Sequence, residues 1–91
     1  MNTKRIVLRG RVQGVGFRDW MVREAARLSV SGWVRNRADG TVEALLAGPP
    51  AAVEELARLC RRGPLLAEVQ SLTEELAEPP AEPGFHRRPD A

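Results

Sequence analysis

The sequence has few of the residues that carry redox or metal chemistry. It contains one cysteine, Cys60, and one histidine, His86, among 91 residues. A single cysteine excludes an internal disulfide and gives no cluster of metal ligands, and a single histidine excludes a site built from paired imidazoles. Redox and zinc chemistry are therefore not expected, and we predict a protein that uses neither a metal nor a cofactor.

The sequence also lacks long apolar segments. No apolar stretch approaches the roughly 20 residues that a membrane helix needs. The amino-terminal residues 1–5 lead directly into a strand-like stretch rather than into the apolar centre of a signal peptide. We therefore expect a cytoplasmic protein that does not associate with membranes.

The positive charge is concentrated in the first half of the chain. Thirteen arginines and one lysine are balanced by twelve acidic residues, which leaves a net charge of +2. Residues 1–40 have a net charge of +6, whereas residues 41–86 have a net charge of −5. An anionic small molecule fits this distribution, and nucleic acid fits it less well.

Two glycines and an arginine follow the first predicted strand, where a helix is expected to begin. Gly14 and Gly16 let successive backbone N–H groups turn toward one point. A helix that starts directly afterwards adds the positive end of its dipole, and Arg18 adds a permanent positive charge. This segment predicts an anion-binding cradle, for which a phosphoryl group is the natural ligand.

The spacing of apolar residues predicts an alternating order of strands and helices. An Asp-Gly pair at 39–40 indicates a hairpin, a proline at the start of the second helix suits its first turn, and Gly32 is expected to end the first helix. Three prolines within 78–83 indicate a loop. Strands are predicted over 4–12, 33–34, 41–46 and 68–76, helices over 17 to about 29 and from 50 to about 62, and a short closing strand is compatible with 84–87.

This order predicts the α+β class with a ferredoxin-like βαββαβ fold. Such a fold is a single antiparallel sheet with two helices on one face, here with a short fifth strand at the C terminus. A chain of 91 residues has room for one domain only, so one domain is expected over 1–91.

Two motifs stand out in the first half of the chain. The first is Gly-Arg-Val-Gln-Gly-Val-Gly-Phe-Arg at residues 10–18. The second is Gly-Trp-Val-Arg-Asn at residues 32–36, followed by Gly40, Val42 and Gly48. In composition and spacing, the two motifs resemble signatures of the acylphosphatase family, small ferredoxin-like enzymes that hydrolyse the carboxyl–phosphate bond of acyl phosphates. With the stretch between them they span residues 10–48, a little under half of the chain.

The resemblance implies roles for individual residues. Arg18 is expected to be the catalytic arginine that binds the substrate phosphate, and Asn36 the catalytic asparagine that holds the attacking water. An acyl phosphate is the implied substrate, inorganic phosphate or sulfate is expected to be able to occupy the site, and a monomer is expected. The backbone amides implied to form the cradle are those of Val15, Gly16, Phe17 and Arg18, with Gln13 and Gly14 shaping the loop. The chain departs from the family at Arg87, where the closing strand usually has an aliphatic residue.

Two other functions share this order of elements. RNA-recognition domains also have the βαββαβ order, but they carry stacking aromatic residues on central strands. This chain has no tyrosine, two phenylalanines and no aromatic residue in its first strand, so RNA binding is disfavoured. The same fold also occurs as a domain of larger proteins that process carbamoyl phosphate in hydrogenase maturation. Because the sequence ends at residue 91, a stand-alone enzyme is the expectation.

Overall fold

Five strands and two helices make up the computed structural model, which describes all 91 residues. The strands form one sheet in the order β4-β1-β3-β2-β5. The elements are β1 (Asn2–Arg11), α1 (Phe17–Leu28), β2 (Ser31–Asn36), β3 (Val42–Gly48), α2 (Pro50–Cys60), β4 (Glu68–Leu76) and β5 (Phe85–Arg87). The predicted ferredoxin-like arrangement with a short fifth strand is confirmed.

The direction of the strands determines which chain segments meet. β3 pairs antiparallel with both β1 and β2, so β1 and β2 run in the same direction. β5 pairs parallel with β2, which makes the sheet mixed rather than wholly antiparallel. The carboxyl ends of β1, β2 and β5 therefore lie at one edge of the sheet, and the segments that follow them converge there.

Both helices pack on the same face of the sheet and share one core. The inner stripe of α1 consists of Phe17, Met21 and Ala25, spaced one turn apart. These three residues belong to a single cluster of fifteen buried apolar residues. Cys60 lies in this cluster on α2, and burial raises the pKa of its thiol to about 12. A thiol with this pKa is protonated at neutral pH, so Cys60 is a core residue rather than a nucleophile.

One local prediction was wrong. Gly32 does not end α1; Ser29 does, in the left-handed conformation, and its backbone N–H donates to the carbonyls of Ala25 and Ala26. Gly32 lies inside β2, where an added Cβ would stand 1.8 Å from the carbonyl oxygen of Leu45, so glycine is needed for strand pairing there.

A buried carboxylate joins three strands on the sheet face opposite the helices. Glu43 of β3 is 4% exposed and accepts hydrogen bonds from Nε of Arg5 on β1 (2.5 Å) and Nε of Arg35 on β2 (2.6 Å). Burial alone would raise the pKa of Glu43, but the two guanidinium hydrogen bonds outweigh it and lower the pKa below its ordinary value. Ionised Glu43 therefore stabilises the folded sheet.

Replacing Glu43 by glutamine should remove this stabilisation. We expect the free energy of unfolding at pH 7 to fall by about 1–3 kcal/mol, the usual scale for charged hydrogen bonds at a buried group. Because the folded pKa is lowered, the contribution is present above the unfolded pKa of about 4.3 and is lost as the pH falls through the folded pKa. Urea unfolding followed by circular dichroism at pH 7 and pH 3 should show the parent and E43Q converging in acid.

Glu75 provides the matched control for Glu43. It accepts from the same Arg5 at 2.6 Å, but its side chain is 62% exposed. We expect E75Q to change the free energy of unfolding by less than about 1 kcal/mol. Equal losses in the two variants would contradict the role assigned to burial at Glu43.

Candidate active site

The segment between β1 and α1 has the backbone geometry of an anion cradle. Gly14 and Gly16 have φ values of +73° and +79°, and nothing lies within 4 Å of a Cβ added at either position. Gly16 is the N-cap of α1 and has no side chain with which to cap the helix. Its carbonyl accepts the first helical hydrogen bond, from Trp20 N–H at 3.1 Å, so the amides that precede Trp20 have no acceptor within the helix. These N–H groups are free to bind an anion.

Gln13 connects this segment to the loop between β2 and β3. Its side-chain Nε2 donates to the backbone carbonyls of Arg37 and Thr41, both at 2.9 Å. The loop is itself closed by Asp39, whose carboxylate accepts from the N–H and the hydroxyl of Thr41. The hydrogen bonds from Thr41 lower the pKa of Asp39. The hydrogen bonds from Gln13 hold the end of β2 and the loop after it against the glycine-rich segment.

Asn36 is placed beside the cradle by the sheet. It is the last residue of β2, and its side chain lies on the same side of the strand as buried Val34, which faces the helices. Asn36 is 9% exposed, and its Oδ1 atom is buried without a hydrogen-bond partner. A buried acceptor that forms no protein hydrogen bond is costly, so such an atom usually serves a ligand or a water molecule.

Most of the residues predicted for the site meet at one small cavity of about 70 Å³. It is lined by Val12, Gly14, Gly16, Phe17, Arg18, Asp19, Asn36 and Arg87. Arg18 and Asn36, which are 18 residues apart in sequence, thus share a single cavity with the cradle glycines. Two predicted residues do not line it: Val15 packs against the core, and Gln13 acts through the loop contacts described above.

The C-terminal tail contacts Arg18, one of the residues that line this cavity, which the sequence did not suggest. Asp90 accepts a hydrogen bond from Nη1 of Arg18 at 3.1 Å. Three backbone hydrogen bonds fix the tail: Arg88 N–H to Val34 O, Ala91 N–H to Asn36 O, and Ala38 N–H to Ala91 O. Residues 88–91 show no periodicity from which such pairing could be predicted. The carboxylate of Asp90 is therefore hydrogen-bonded to Arg18, the residue expected to bind the substrate phosphate.

Two further features are absent from the structure. No three histidine, cysteine, aspartate or glutamate side chains are grouped in a way that could hold a metal ion. Neither helix combines the length and the apolar character required to cross a membrane.

Comparison with known proteins places this chain in a family. The family model described as acylphosphatase matches residues 4–87. An acylphosphatase from Acidiphilium cryptum (strain JF-5) is 67% identical over 88 residues, with 97% of each chain covered. The crystal structure of an acylphosphatase from Bacillus subtilis superposes with a TM-score of 0.90 at 34% identity and covers 97% of this chain and 99% of that one.

A more distant structure shares the fold alone. Full-length HypF, in a phosphate- and nucleotide-bound form, matches with a TM-score of 0.88 at 23% identity, and the match covers 98% of this chain but 12% of HypF. The acylphosphatases, in contrast, agree with this chain in sequence and in length along nearly its entire extent. The chain therefore belongs to the acylphosphatase family of enzymes.

Proposed function

We propose that this protein hydrolyses acyl phosphates to a carboxylate and inorganic phosphate, with Arg18 and the cradle amides holding the phosphoryl group and Asn36 positioning the attacking water. The observation that carries the proposal is the buried, unpartnered Oδ1 of Asn36 at the cavity lined by Arg18 and the cradle glycines. Water is the ligand that such an acceptor would orient.

The reaction needs little beyond binding and orientation. The water oxygen attacks phosphorus in line, the bond from phosphorus to the acyl oxygen breaks, and its electron pair leaves with the carboxylate. The two protons of the water stay on the inorganic phosphate that is released. Because the conjugate acid of this leaving group has a pKa of about 4, the group departs as an anion near neutral pH without a general acid. Charge in a loose phosphoryl-transfer transition state lies on the equatorial oxygens, where positioned donors stabilise it.

Arg18 and Asn36 supply different parts of this stabilisation. A guanidinium presents two parallel N–H donors that match two phosphate oxygens, while the backbone amides of residues 15–18 bind the third. Asn36 is neutral; its side-chain oxygen accepts a hydrogen bond from water and its nitrogen donates one. It therefore orients the nucleophile without changing its own charge.

RNA binding is not favoured by the face of the sheet opposite the helices. Trp33 lies on that face, and its ring is contacted by two cations: the guanidinium carbons of Arg35 and Arg88 lie 5.1 Å and 4.7 Å from the ring centre. A ring that stacks on cations of its own chain is not a free platform for a base. The absence of nucleic-acid partners stays a prediction, as do the monomer, the single domain, the cytoplasmic location and independence from metals.

The test of the proposal is hydrolysis of benzoyl phosphate in the presence of a chelator. We expect chelator-insensitive turnover in the parent and its loss in R18A and N36A. Arg23, an exposed residue on the same helix, and Asn2, the other asparagine of the chain, offer matched controls, so R23A and N2A should retain activity. A parent without turnover, or turnover that survives in R18A and N36A, would overturn the proposal.

Asp90 should compete with phosphate for Arg18. An exposed ion pair of this kind contributes about 0.5–1 kcal/mol, and the Asp90 side chain is 64% exposed. Replacing Asp90 by asparagine should therefore lower the inhibition constant for inorganic phosphate by roughly two- to fivefold. Inhibition of benzoyl phosphate hydrolysis measures this constant, and a constant that rises in D90N would show that the carboxylate aids phosphate binding rather than opposing it.

A further inference from the structure

Arg87 places a second guanidinium at the candidate active site. It ends β5 and is paired in register with Val34, whose side chain faces the helices. Its Nη1 atom donates to Oδ1 of Asp19 on the first turn of α1 at 2.7 Å. Arg87 thereby lines the cavity that also contains Arg18 and Asn36.

The size of the cavity indicates different roles for Arg18 and Arg87. At about 70 Å³ it is far smaller than the roughly 300–1,000 Å³ of pockets that enclose a whole small-molecule ligand. It suits the phosphoryl end of a substrate, and the acyl group must extend outward past the rim. The Arg18 side chain is 27% exposed and that of Arg87 is 44% exposed, so Arg87 is the guanidinium nearer to solvent.

The contacts of Arg87 leave it able to bind a ligand. A guanidinium has five N–H donors, and Arg87 uses one nitrogen, Nη1, for Asp19. The Asp19 side chain is 60% exposed, so this ion pair is weak and fixes the direction of Arg87 more than it satisfies its charge. The remaining donors form no side-chain hydrogen bond within the protein and are free to bind a carboxylate.

We propose that Arg87 is a specificity-determining residue, which binds a negatively charged group on the acyl portion of the substrate while Arg18 holds the phosphate. This inference rests on the proposed hydrolysis of acyl phosphates. The preferred substrates are then mixed anhydrides of phosphate with a dicarboxylic acid, or with another acid whose acyl group bears an anionic substituent. Attraction between the second charge and Arg87 acts on substrate binding, and therefore on KM.

A pair of rigid substrates isolates this contact. Benzoyl phosphate has an uncharged ring. In 3- and 4-carboxybenzoyl phosphate the ring carries a carboxylate, at a different distance from the phosphate in each isomer. The quantity measured is the ratio of kcat/KM for the better carboxylated isomer to kcat/KM for benzoyl phosphate. We expect the parent to prefer the carboxylated substrate, and R87M to lower the ratio by about five- to tenfold, mainly through KM.

Two variants make this test specific. Arg88 is the next residue and carries the same charge, but it stacks on Trp33 on the other face of the sheet, so R88M should leave the ratio within twofold of the parent. R87K keeps the positive charge but not the paired N–H donors of the guanidinium. It should therefore show part of the preference for the carboxylated substrate that R87M loses. Higher salt should lower the ratio in the parent and not in R87M, because exposed charge pairs are screened.

The possible failures can be told apart. If the parent hydrolyses benzoyl phosphate but has no preference for a carboxylated substrate, or if R87M and R88M change the ratio equally, the role of Arg87 is overturned and the proposed function stands. If the parent hydrolyses none of these substrates, both proposals fall.

Discussion

Replacing Asn36 by alanine is expected to lower kcat by roughly 10² to 10³, equivalent to about 3–4 kcal/mol of transition-state stabilisation. Asn36 is the residue whose buried Oδ1 atom has no partner in the folded protein. Its removal takes away the group that orients water for in-line attack but leaves Arg18 and the cradle in place. The effect should therefore fall on kcat, with KM for benzoyl phosphate changing little.

This split between kcat and KM distinguishes orientation from general damage to the site. Asn36 also accepts a hydrogen bond from Ala91 N–H, but through its backbone carbonyl, which alanine retains. Aspartate at position 36 has a similar shape and adds a negative charge close to the phosphate, so N36D should be at least as impaired as N36A. Activity of N36A within tenfold of the parent would refute the assigned role.

The stability of N36A provides a second, independent readout. A buried acceptor without a partner disfavours the folded state, so its removal should not reduce the free energy of unfolding by as much as the loss of a hydrogen-bonded group would. We expect urea unfolding of N36A to differ from the parent by less than about 1 kcal/mol. A large loss of stability would instead indicate that Asn36 is a structural residue at the end of β2.

Local signals along the chain predicted the parts of the fold that depend on neighbouring residues. The glycines at 14 and 16 predicted the turn between the first strand and the first helix, because glycine adopts positive φ values without the steric cost that other residues meet. The Asp-Gly pair predicted the β2–β3 hairpin, and the proline that begins α2 predicted its first turn. Each of these signals acts within a few residues of its own position.

Contacts between distant segments could not be predicted in this way. The parallel pairing of β5 with β2 joins residues more than 50 positions apart, and residues 84–87 alone do not specify which strand they will pair with. Gly32 was assigned to the end of a helix because its close approach to Leu45 depends on the partner strand. Asp90 follows a short strand in a polar tail, so its contact with Arg18 arises from the direction in which β5 runs.

The position of Arg87 at the rim of the cavity could likewise not be predicted from the sequence. In the sequence it marked a departure from the aliphatic residue usual at this point of the family's closing strand. In the structure β5 still forms through residue 87, and the arginine side chain contacts Asp19 at the rim of the cavity. The residue at which the chain departs from the family thus lies next to the candidate site.

Replacing Arg18 by lysine is expected to be about as damaging as the loss of Asn36, although the positive charge is kept. Lysine is a point charge on a flexible stem and cannot present two parallel donors to two phosphate oxygens. A misplacement of the phosphoryl group by about 1 Å can cost about 10²-fold in rate. We expect kcat/KM of R18K for benzoyl phosphate to fall by roughly 10² to 10³ and its inhibition constant for inorganic phosphate to rise.

The contact between Arg18 and Asp90 sharpens this prediction, because lysine can still form an ion pair with Asp90. If charge alone mattered, R18K would keep both the contact with the tail and its affinity for phosphate. If the two parallel N–H donors matter, phosphate binding weakens in R18K, and adding D90N to R18K recovers little of the lost activity. R23K, on the exposed face of the same helix, controls for a general effect of the exchange. An R18K variant with unchanged KM for an acyl phosphate and unchanged affinity for inorganic phosphate would contradict the role proposed for the guanidinium.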